Sequence, residues 1–362
     1  MNILYLVNHL NVGGISSYLL NLSTGLRQQG QNIYIASSGG DLEDKFSALG
    51  ARIIRIPIRT KKEISFKIAL SFFKLFGLIK KYDIELVHSQ SRTTQVLGCL
   101  LSRYTGVKHV FTCHGFFKPK FSRRLFPCLP DRTIAISQPV AEHLVADLDF
   151  PADRIQVVPN GIDARFFLSA KPKEEIKKYL GLGPGEVIGN IGRLSDVKGH
   201  TYLISAMPLI LRSFPAAQLL ISGEGKLSEH LARQAKELGV SDKIFFVHGS
   251  LQAADALAVM DVFVMPSLQE GLGLALMEAM SIGLAVVGTE VGGIKDLLQD
   301  GENGLLVKPK DPEGLARAVK ELLTDKTKRQ RLGTMAAKFI RDNFAQDKMA
   351  TQTLEVYRQC LK

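Results

Sequence analysis

The chain has 362 residues, 46% of them hydrophobic and 22% charged, with a formal net charge of +11. That length suggests two domains with ample chain for a core in each, and the composition argues against a disordered or membrane-spanning protein. The four cysteines, Cys99, Cys113, Cys128 and Cys360, have neither metal-site spacing nor the density of a disulfide framework, and read as reduced thiols of a cytoplasmic protein.

The chain opens on MNILYLVNHL, an apolar run with no basic start and no small-residue cleavage site, which predicts a first strand rather than a signal peptide. Further strands are predicted at 32–36, 52–56, 84–88, 108–112, 132–136 and 155–159. In the second half they fall at 186–191, 217–222, 243–247, 261–265, 284–288 and 304–307, and residues 311–361 are almost entirely helical in pattern. Short apolar runs alternating with helical periodicity predict an α/β protein, with parallel sheets covered by helices on both faces.

Each half opens in the same way. ILYLVNHLNVGG and EVIGNIGRLSDVKG are both strands running into glycine-bearing loops and then helices. Ligands of open parallel sheets sit at the carboxyl ends of strands, where such loops lie, so two halves facing each other would make one cleft. The boundary falls after PNGID, where the lysine-rich AKPKEEIKK starts afresh, giving domains 1–163 and 164–344 and a final helical stretch 345–362.

Charge is uneven between the halves. Residues 1–163 carry 20 Lys+Arg against 12 Asp+Glu, a net +8, and residues 164–362 carry 26 against 23, a net +3. A basic first half suggests an anionic partner, and without a zinc-finger or RNA-binding signature nucleic acid ranks last. In the segment 61–83, Lys67, Lys74 and Lys81 recur every seven residues and line one helical face, while four phenylalanines cover much of the rest. Residues 114–127 place Lys118, Lys120, Arg123 and Arg124 among four phenylalanines. Segments 61–81 and 116–126 therefore fit either solvated surface or an interface with anionic lipid.

Candidate chemistry follows the strands. Gly13 and Gly14 let backbone approach a ligand or simply make a tight turn. His114 stands directly after a strand, at the end where site residues collect, and a merely packed or solvated histidine fits there equally. Arg193 and Lys198 flank a loop and helix start, where two cations can clamp a diphosphate or simply decorate a solvated surface loop; the GxxxxGK[ST] order of a Walker loop is absent. Asp147 and Asp149 look like a metal-binding DxD but end a helical run before Pro151, and read as a solvated pair. No GxGxxG follows a strand, which disfavours a dinucleotide redox enzyme.

In LQEGLGLALMEAMSIG (268–283), Glu270 and Glu278 lie eight positions apart. A helix starting near Leu272 would present free N–H groups to an anion, and on a continuous helix the two carboxylates would be about 12 Å apart. That is beyond the roughly 5–9.5 Å of a glycosidase pair. It suits gripping two ends of a long ligand, for which a nucleotide sugar has the shape; one capping and one buried glutamate fit the spacing equally.

In this order and spacing, VGG near the start, HG at 114–115, PNGID, GRLSDVKGH, EGLGLALMEAM and GTEVGGIKDLLQDGENGLLV resemble the retaining glycosyltransferase family 4 over essentially the whole chain. The resemblance implies the GT-B fold, two Rossmann-like doubly wound domains with the nucleotide-sugar donor held mostly by the second and a final helix crossing back onto the first. It also implies that Arg193 and Lys198 bind the donor diphosphate, Glu278 the ribose and Glu270 the sugar. Backbone amides of Gly271, Leu272, Gly273 and Leu274 would contact sugar and phosphates, His114 would lie beside the transferred sugar, and Gly13 and Gly14 would line the junction with the acceptor. Leu272 departs from the phenylalanine the family often has there. No metal and no other cofactor is expected, the donor is expected to be a UDP-sugar ahead of a GDP-sugar, and the acceptor a glycan or glycolipid of the cell envelope, of lipopolysaccharide type or similar. A sugar-nucleotide epimerase of the same fold and a non-catalytic glycan- or lipid-binding relative are the alternatives. The location expected is cytoplasmic, peripheral to the inner face of the membrane.

Overall fold

The computed structural model describes residues 1–60, 65–117, 126–247 and 251–362. The chain divides into two compact units, one of Met1–Gly161 with Phe344–Lys362 and one of Ile162–Asn343.

The first unit holds seven strands, β1 (Asn2–Leu6), β2 (Asn32–Ser37), β3 (Arg52–Arg55), β4 (Leu86–Ser89), β5 (Lys108–Cys113), β6 (Arg132–Ala135) and β7 (Ile155–Val157). Their order is β3-β2-β1-β4-β5-β6-β7, parallel throughout. Tyr5 stands level with Ile35 on one side and His88 on the other. The second unit holds β8 (Val187–Ile191), β9 (Gln218–Ser222), β10 (Ile244–Val247), β11 (Val262–Met265), β12 (Ala285–Thr289) and β13 (Leu305–Val307), in the order β10-β9-β8-β11-β12-β13, again parallel.

Both sheets are doubly wound, and every strand expected from an apolar run is present. The reason is burial on two faces: Ile3, Leu4, Tyr5 and Leu6 are all essentially inaccessible, so alternation disappears and a continuous apolar run is left. β4 starts two residues later than expected. Asp83 adopts a left-handed conformation (φ 46°), and the Ile84 N–H still closes the preceding Phe66–Lys81 helix by donating to Ile79 O at 2.9 Å.

The last helix, Gln346–Leu361, packs in the first unit. Met349, Leu354, Val356 and Tyr357 share a core with Tyr18, Leu19 and Leu22 of the Gly14–Gln28 helix. Gly25 makes that approach possible, because a Cβ there would lie 2.6 Å from the Ala350 Cβ. Each large apolar chain so buried contributes about 1.5–3 kcal/mol.

In each sheet the winding reverses once, between β1 and β4 and between β8 and β11. The loops leaving such neighbours diverge and open a crevice at their carboxyl ends. Those crevices are where the polar residues of interest collect.

Candidate active site

In the second unit, β8 feeds the loop Gly192-Arg193-Leu194. That loop is pinned by its neighbour: the Gly192 N–H donates to Ser222 O (3.0 Å) and the Leu194 N–H to Glu224 O (2.9 Å). A single turn, Asp196–Lys198, follows and ends on left-handed Gly199 (φ 67°). A Cβ on Gly199 would sit 1.9 Å from Pro266 O, so the turn is pressed directly onto the chain leaving β11. The Leu268 N–H completes the join by donating to Val197 O at 2.8 Å.

This docking brings Lys198 and Glu270 together as an ion pair. Ser267 Oγ donates to the same Glu270 Oε2 at 3.2 Å. Both partners are largely screened from water, the lysine side chain 23% and the glutamate 13% exposed. Arg193, on the same loop, is exposed and has no ion pair among the described residues.

The helix beyond Glu270 runs Leu274–Ser281 and begins two residues later than the sequence suggests. Gly273 is its N-cap at φ 101°, a conformation that only glycine adopts readily, and the Met277 N–H donates to Gly273 O at 3.0 Å to close the first turn. Glu270 is therefore outside the helix, and the spacing of about 12 Å for a continuous helix does not apply to it. Gly271, Leu272 and Gly273 are all buried, and Leu274 is partly exposed. Glu278 is on the helix and partly accessible; its carbonyl accepts from Ser281 Oγ at 2.7 Å, its carboxyl has no hydrogen-bond partner among the described residues, and burial pushes that carboxyl up to about 8.

In the first unit, the loop after β1 carries Gly13 and Gly14, both exposed at the start of the Gly14–Gln28 helix. Gln90 follows β4 and His114 follows β5. His114 Nε2 is 2.8 Å from Gln90 Oε1, which only accepts, so Nε2 carries the proton and Nδ1 presents a lone pair. Burial lowers this imidazole to about 3, so it is neutral at physiological pH. Tyr18 meets its ring edge-on at 4.7 Å. Behind Tyr18 a buried chain runs from Thr112 to His88 Nε2 (2.7 Å), from His88 Nδ1 to Tyr357 OH (2.6 Å), and on to Tyr5 OH (2.9 Å).

Residues 12–166 match the model of Glycosyltransferase Family 4, and residues 172–339 match that of Glycosyl transferases group 1. The chain belongs to this glycosyltransferase family. It is similar to an uncharacterised glycosyltransferase of Methanocaldococcus jannaschii, 27% identical over 376 residues, covering 96% of this chain and 94% of that one. A GDP-mannose-dependent alpha-(1-6)-phosphatidylinositol monomannoside mannosyltransferase of Mycobacterium tuberculosis is also 27% identical, over 370 residues and the same shares of each chain. The crystal structure of Anabaena HepE in complex with UDP and glucose superposes with a TM-score of 0.87 at 19% identity, covering 99% of this chain and all of the other. The fold is GT-B, and the protein is a glycosyltransferase that takes its sugar from a nucleotide-sugar donor.

Three further residues around these candidate sites are not singled out by the sequence, although His200 and Gly293 lie within motifs quoted above. Gly293 clamps the loop that carries Glu270: its N–H donates to Glu270 O at 3.0 Å, and a Cβ there would lie 2.3 Å from Gly271 O. His200 is buried beside Lys198 with neither ring nitrogen hydrogen-bonded, and burial together with the lysine charge lowers it to about 4. Gln90 orients His114 while its own amide nitrogen is buried without a partner. The sequence signal was faint in each case, a glycine, histidine or glutamine immediately after a strand or loop already marked.

Asp147 pairs with His143 at 2.6 Å, and Asp149 caps the Gln138–Leu148 helix in the left-handed region (φ 56°). Among the described residues no cluster of three His, Cys, Asp or Glu is placed to hold a metal ion. No described helix is long and apolar enough to cross a membrane. Lys118, Lys120, Arg123 and Arg124 lie outside the described residues. The helix that begins at Phe66 exposes Lys67, Lys74 and Lys81 as expected, and it also exposes Phe66, Leu70, Phe73 and Phe76.

Proposed function

We propose that the protein is a retaining hexosyltransferase acting on a membrane-linked or envelope glycan acceptor, with the second unit gripping the donor. The observation that carries this reading is the Lys198–Glu270 pair at the β8/β11 crevice. In the ligand-free state each charge neutralises the other. A donor pyrophosphate would draw Lys198 away, with Arg193 beside it, and release the Glu270 carboxylate to accept hydrogen bonds from sugar hydroxyls. Glu278 would hold the ribose, and the amides of Gly271–Leu274 the sugar and phosphates.

Breaking the anomeric C–O bond puts negative charge on the departing diphosphate. Fixed cations stabilise that charge without reorganising, an effect worth about 3–4 kcal/mol per group. Glu270 is assigned to the sugar hydroxyls and no described side chain to the anomeric carbon, so the reading is front-face transfer with the leaving phosphate taking the acceptor proton. His114, neutral and with Nδ1 open, fits a hydroxyl-orienting role rather than that of a cation. Gly13 has only open space where a Cβ would be, so packing within the unit does not require glycine there, whereas close approach of substrate does.

UDP is the first choice of base and GDP the second. HepE is solved with UDP and glucose, and the Mycobacterium relative is named for GDP-mannose. A lipid-linked acceptor is supported by the exposed phenylalanines and lysines of the Phe66–Lys81 helix and by the basic first half. The test is donor hydrolysis against a panel of sugar nucleotides, with Lys198→Ala as control. The variant is expected to stay folded and lose transfer by about 10²–10³-fold. Full activity in that variant would remove the donor-site assignment, and isomerisation of a UDP-sugar without acceptor would point to an epimerase.

A further inference from the structure

Away from the candidate active site, the Arg92–Thr105 helix grips the chain that leads into β6. Arg92 donates to Phe126 O (2.6 Å) and Pro127 O (3.0 Å), and Gln95 to Cys128 O (3.0 Å). One turn further on the same face stands Cys99, partly exposed like Cys128 and close enough for the Cys128 thiol to perturb its own. Positions 92, 95 and 99 share a face, so three successive contacts hold residues 126–128 along the helix. Cys128 itself is left-handed (φ 49°), a conformation that costs a side-chain-bearing residue about 1–2 kcal/mol and persists only where its surroundings fix it.

A cavity of about 230 Å³ opens beside Cys99, lined also by Ser102, Arg103, His109, Asp131 and Arg154. Two arginines against one carboxylate, Asp131, leave its lining net positive and receptive to an anionic small molecule. The His109 Nδ1, fully buried, has no hydrogen-bond partner. The other two cysteines are different. Cys113 and Cys360 are buried, and burial pushes the Cys360 thiol up to about 12.

We propose that Cys99 and Cys128 form a redox pair that exchanges with anionic low-molecular-weight disulfides. The Cys99 thiolate attacks one sulfur of the disulfide RSSR, forming a mixed disulfide and expelling RS⁻, which takes up a proton. The Cys128 thiol then gives up its proton and attacks the Cys99 sulfur, expelling the second RS⁻. Two protein thiols and one RSSR become one protein disulfide and two RSH; the protein is oxidised by two electrons and the small disulfide reduced by two. Cys99 is the attacking sulfur because the neighbouring Cys128 thiol and then the charges of Arg103 and Arg92 hold its thiol at about 7, against the effect of burial.

The test treats the whole reduced chain with oxidised glutathione at neutral pH and follows intact mass, thiol count and peptide map. The expected product is lighter by two hydrogens, has lost two of its four thiols, and carries a Cys99–Cys128 link. Cys128→Ser is expected to stop at a glutathione adduct on Cys99, and Cys99→Ser to slow the reaction at least about tenfold. Arg103→Gln is expected to slow the first step by about 3–10-fold and to move its pH midpoint upward. A persistent adduct in the unaltered chain, a link to Cys113 or Cys360, or equal rates for both serine variants would each overturn the pair.

Discussion

Lys198 and Glu270 form their ion pair from loops on either side of the β8/β11 crevice, 72 residues apart in the chain, and neither is freely solvated. A donor that uses both must separate them, which gives a prediction with two signs. Glu270→Gln removes the partner that competes for Lys198, so affinity for the bare nucleoside diphosphate is expected to hold or rise while sugar transfer falls by about 10²-fold or more. In the ligand-free protein, Glu270→Gln and Lys198→Met are each expected to lose about 1–3 kcal/mol, and the double variant less than their sum. Calorimetric titration with nucleotide and denaturant melts of the four proteins check both parts. Additive losses would mean the two side chains do not interact.

Glu278 gives the second prediction. Its carboxyl titrates near 8 in the fold against 4.5 when free, because burial disfavours the charge. The native state therefore holds more protons than the unfolded chain between those values. Ligand-free stability is highest below the unfolded value and falls as pH rises toward 8. The carboxyl is partly accessible, so the loss is set at about 1–2 kcal/mol. Glu278→Gln is expected to abolish it, and denaturant melts across that range read the difference. Ribose hydroxyls would stabilise the carboxylate, so donor affinity is expected to rise over the same range in the unaltered chain and stay flat in the variant.

The strands and the cations were legible because their signals are local. A strand buried on two faces is an apolar run, and a cation on a glycine loop after a strand needs only its neighbours to be noticed. The Lys198–Glu270 contact was not legible, since it depends on β11 lying beside β8. Nor was the state of Glu278, which is decided by how the Leu274–Ser281 helix packs. The helix start was misplaced because Leu272 reads as a good helix former, while Gly273 at φ 101° holds the preceding chain out of the helix. The chain from Tyr18 to Tyr357 joins opposite ends of the sequence, and the Gln90–His114 contact depends on β4 lying beside β5.

Two glycines are predicted to be intolerant for a steric reason. A Cβ on Gly293 would lie 2.3 Å from Gly271 O and 2.6 Å from Leu272 Cα, and one on Gly199 would lie 1.9 Å from Pro266 O. These neighbours are backbone and cannot rotate aside. Gly293→Ala and Gly199→Ala are each expected to cost about 2–4 kcal/mol and to weaken donor binding, by moving the loops that carry Glu270 and Lys198. Gly13→Ala, which meets nothing within 4 Å, is expected to leave the melting temperature unchanged while reducing transfer. A fall in melting temperature there would assign Gly13 a purely structural role.

Acid is expected to unfold the protein through its buried imidazoles. His114 is lowered to about 3, and His109 and His200 to about 4, in each case mainly by burial. Below the ordinary histidine value the unfolded chain binds protons that the native state refuses, so the stability these groups allow is present above pH about 6.5 and is lost as pH falls toward 4 and 3. Urea midpoints are expected to drop across that range, and His114→Gln to flatten the slope in part. If the slope is unchanged, His114 titrates normally and its proposed neutral role fails.

The exposed face of the Phe66–Lys81 helix yields the last prediction. Phe66, Leu70 and Phe73 stand at helical spacing on its solvent side, with Lys67, Lys74 and Lys81 along one flank. Leaving such side chains in water forgoes about 1.5–3 kcal/mol for each phenylalanine, and a lysine near an anionic surface adds about 1 kcal/mol. Binding to phosphatidylglycerol-containing vesicles at low salt is therefore expected, with little binding to zwitterionic ones. Phe66→Ser with Phe73→Ser is expected to lower partitioning by about 100-fold or more, since each 1.4 kcal/mol is tenfold. Lys67→Gln with Lys74→Gln is expected instead to reduce its salt dependence. Co-sedimentation in both vesicle types separates the two effects. Indifference of the unaltered chain to anionic vesicles would leave this face as ordinary surface and the acceptor as a water-borne glycan.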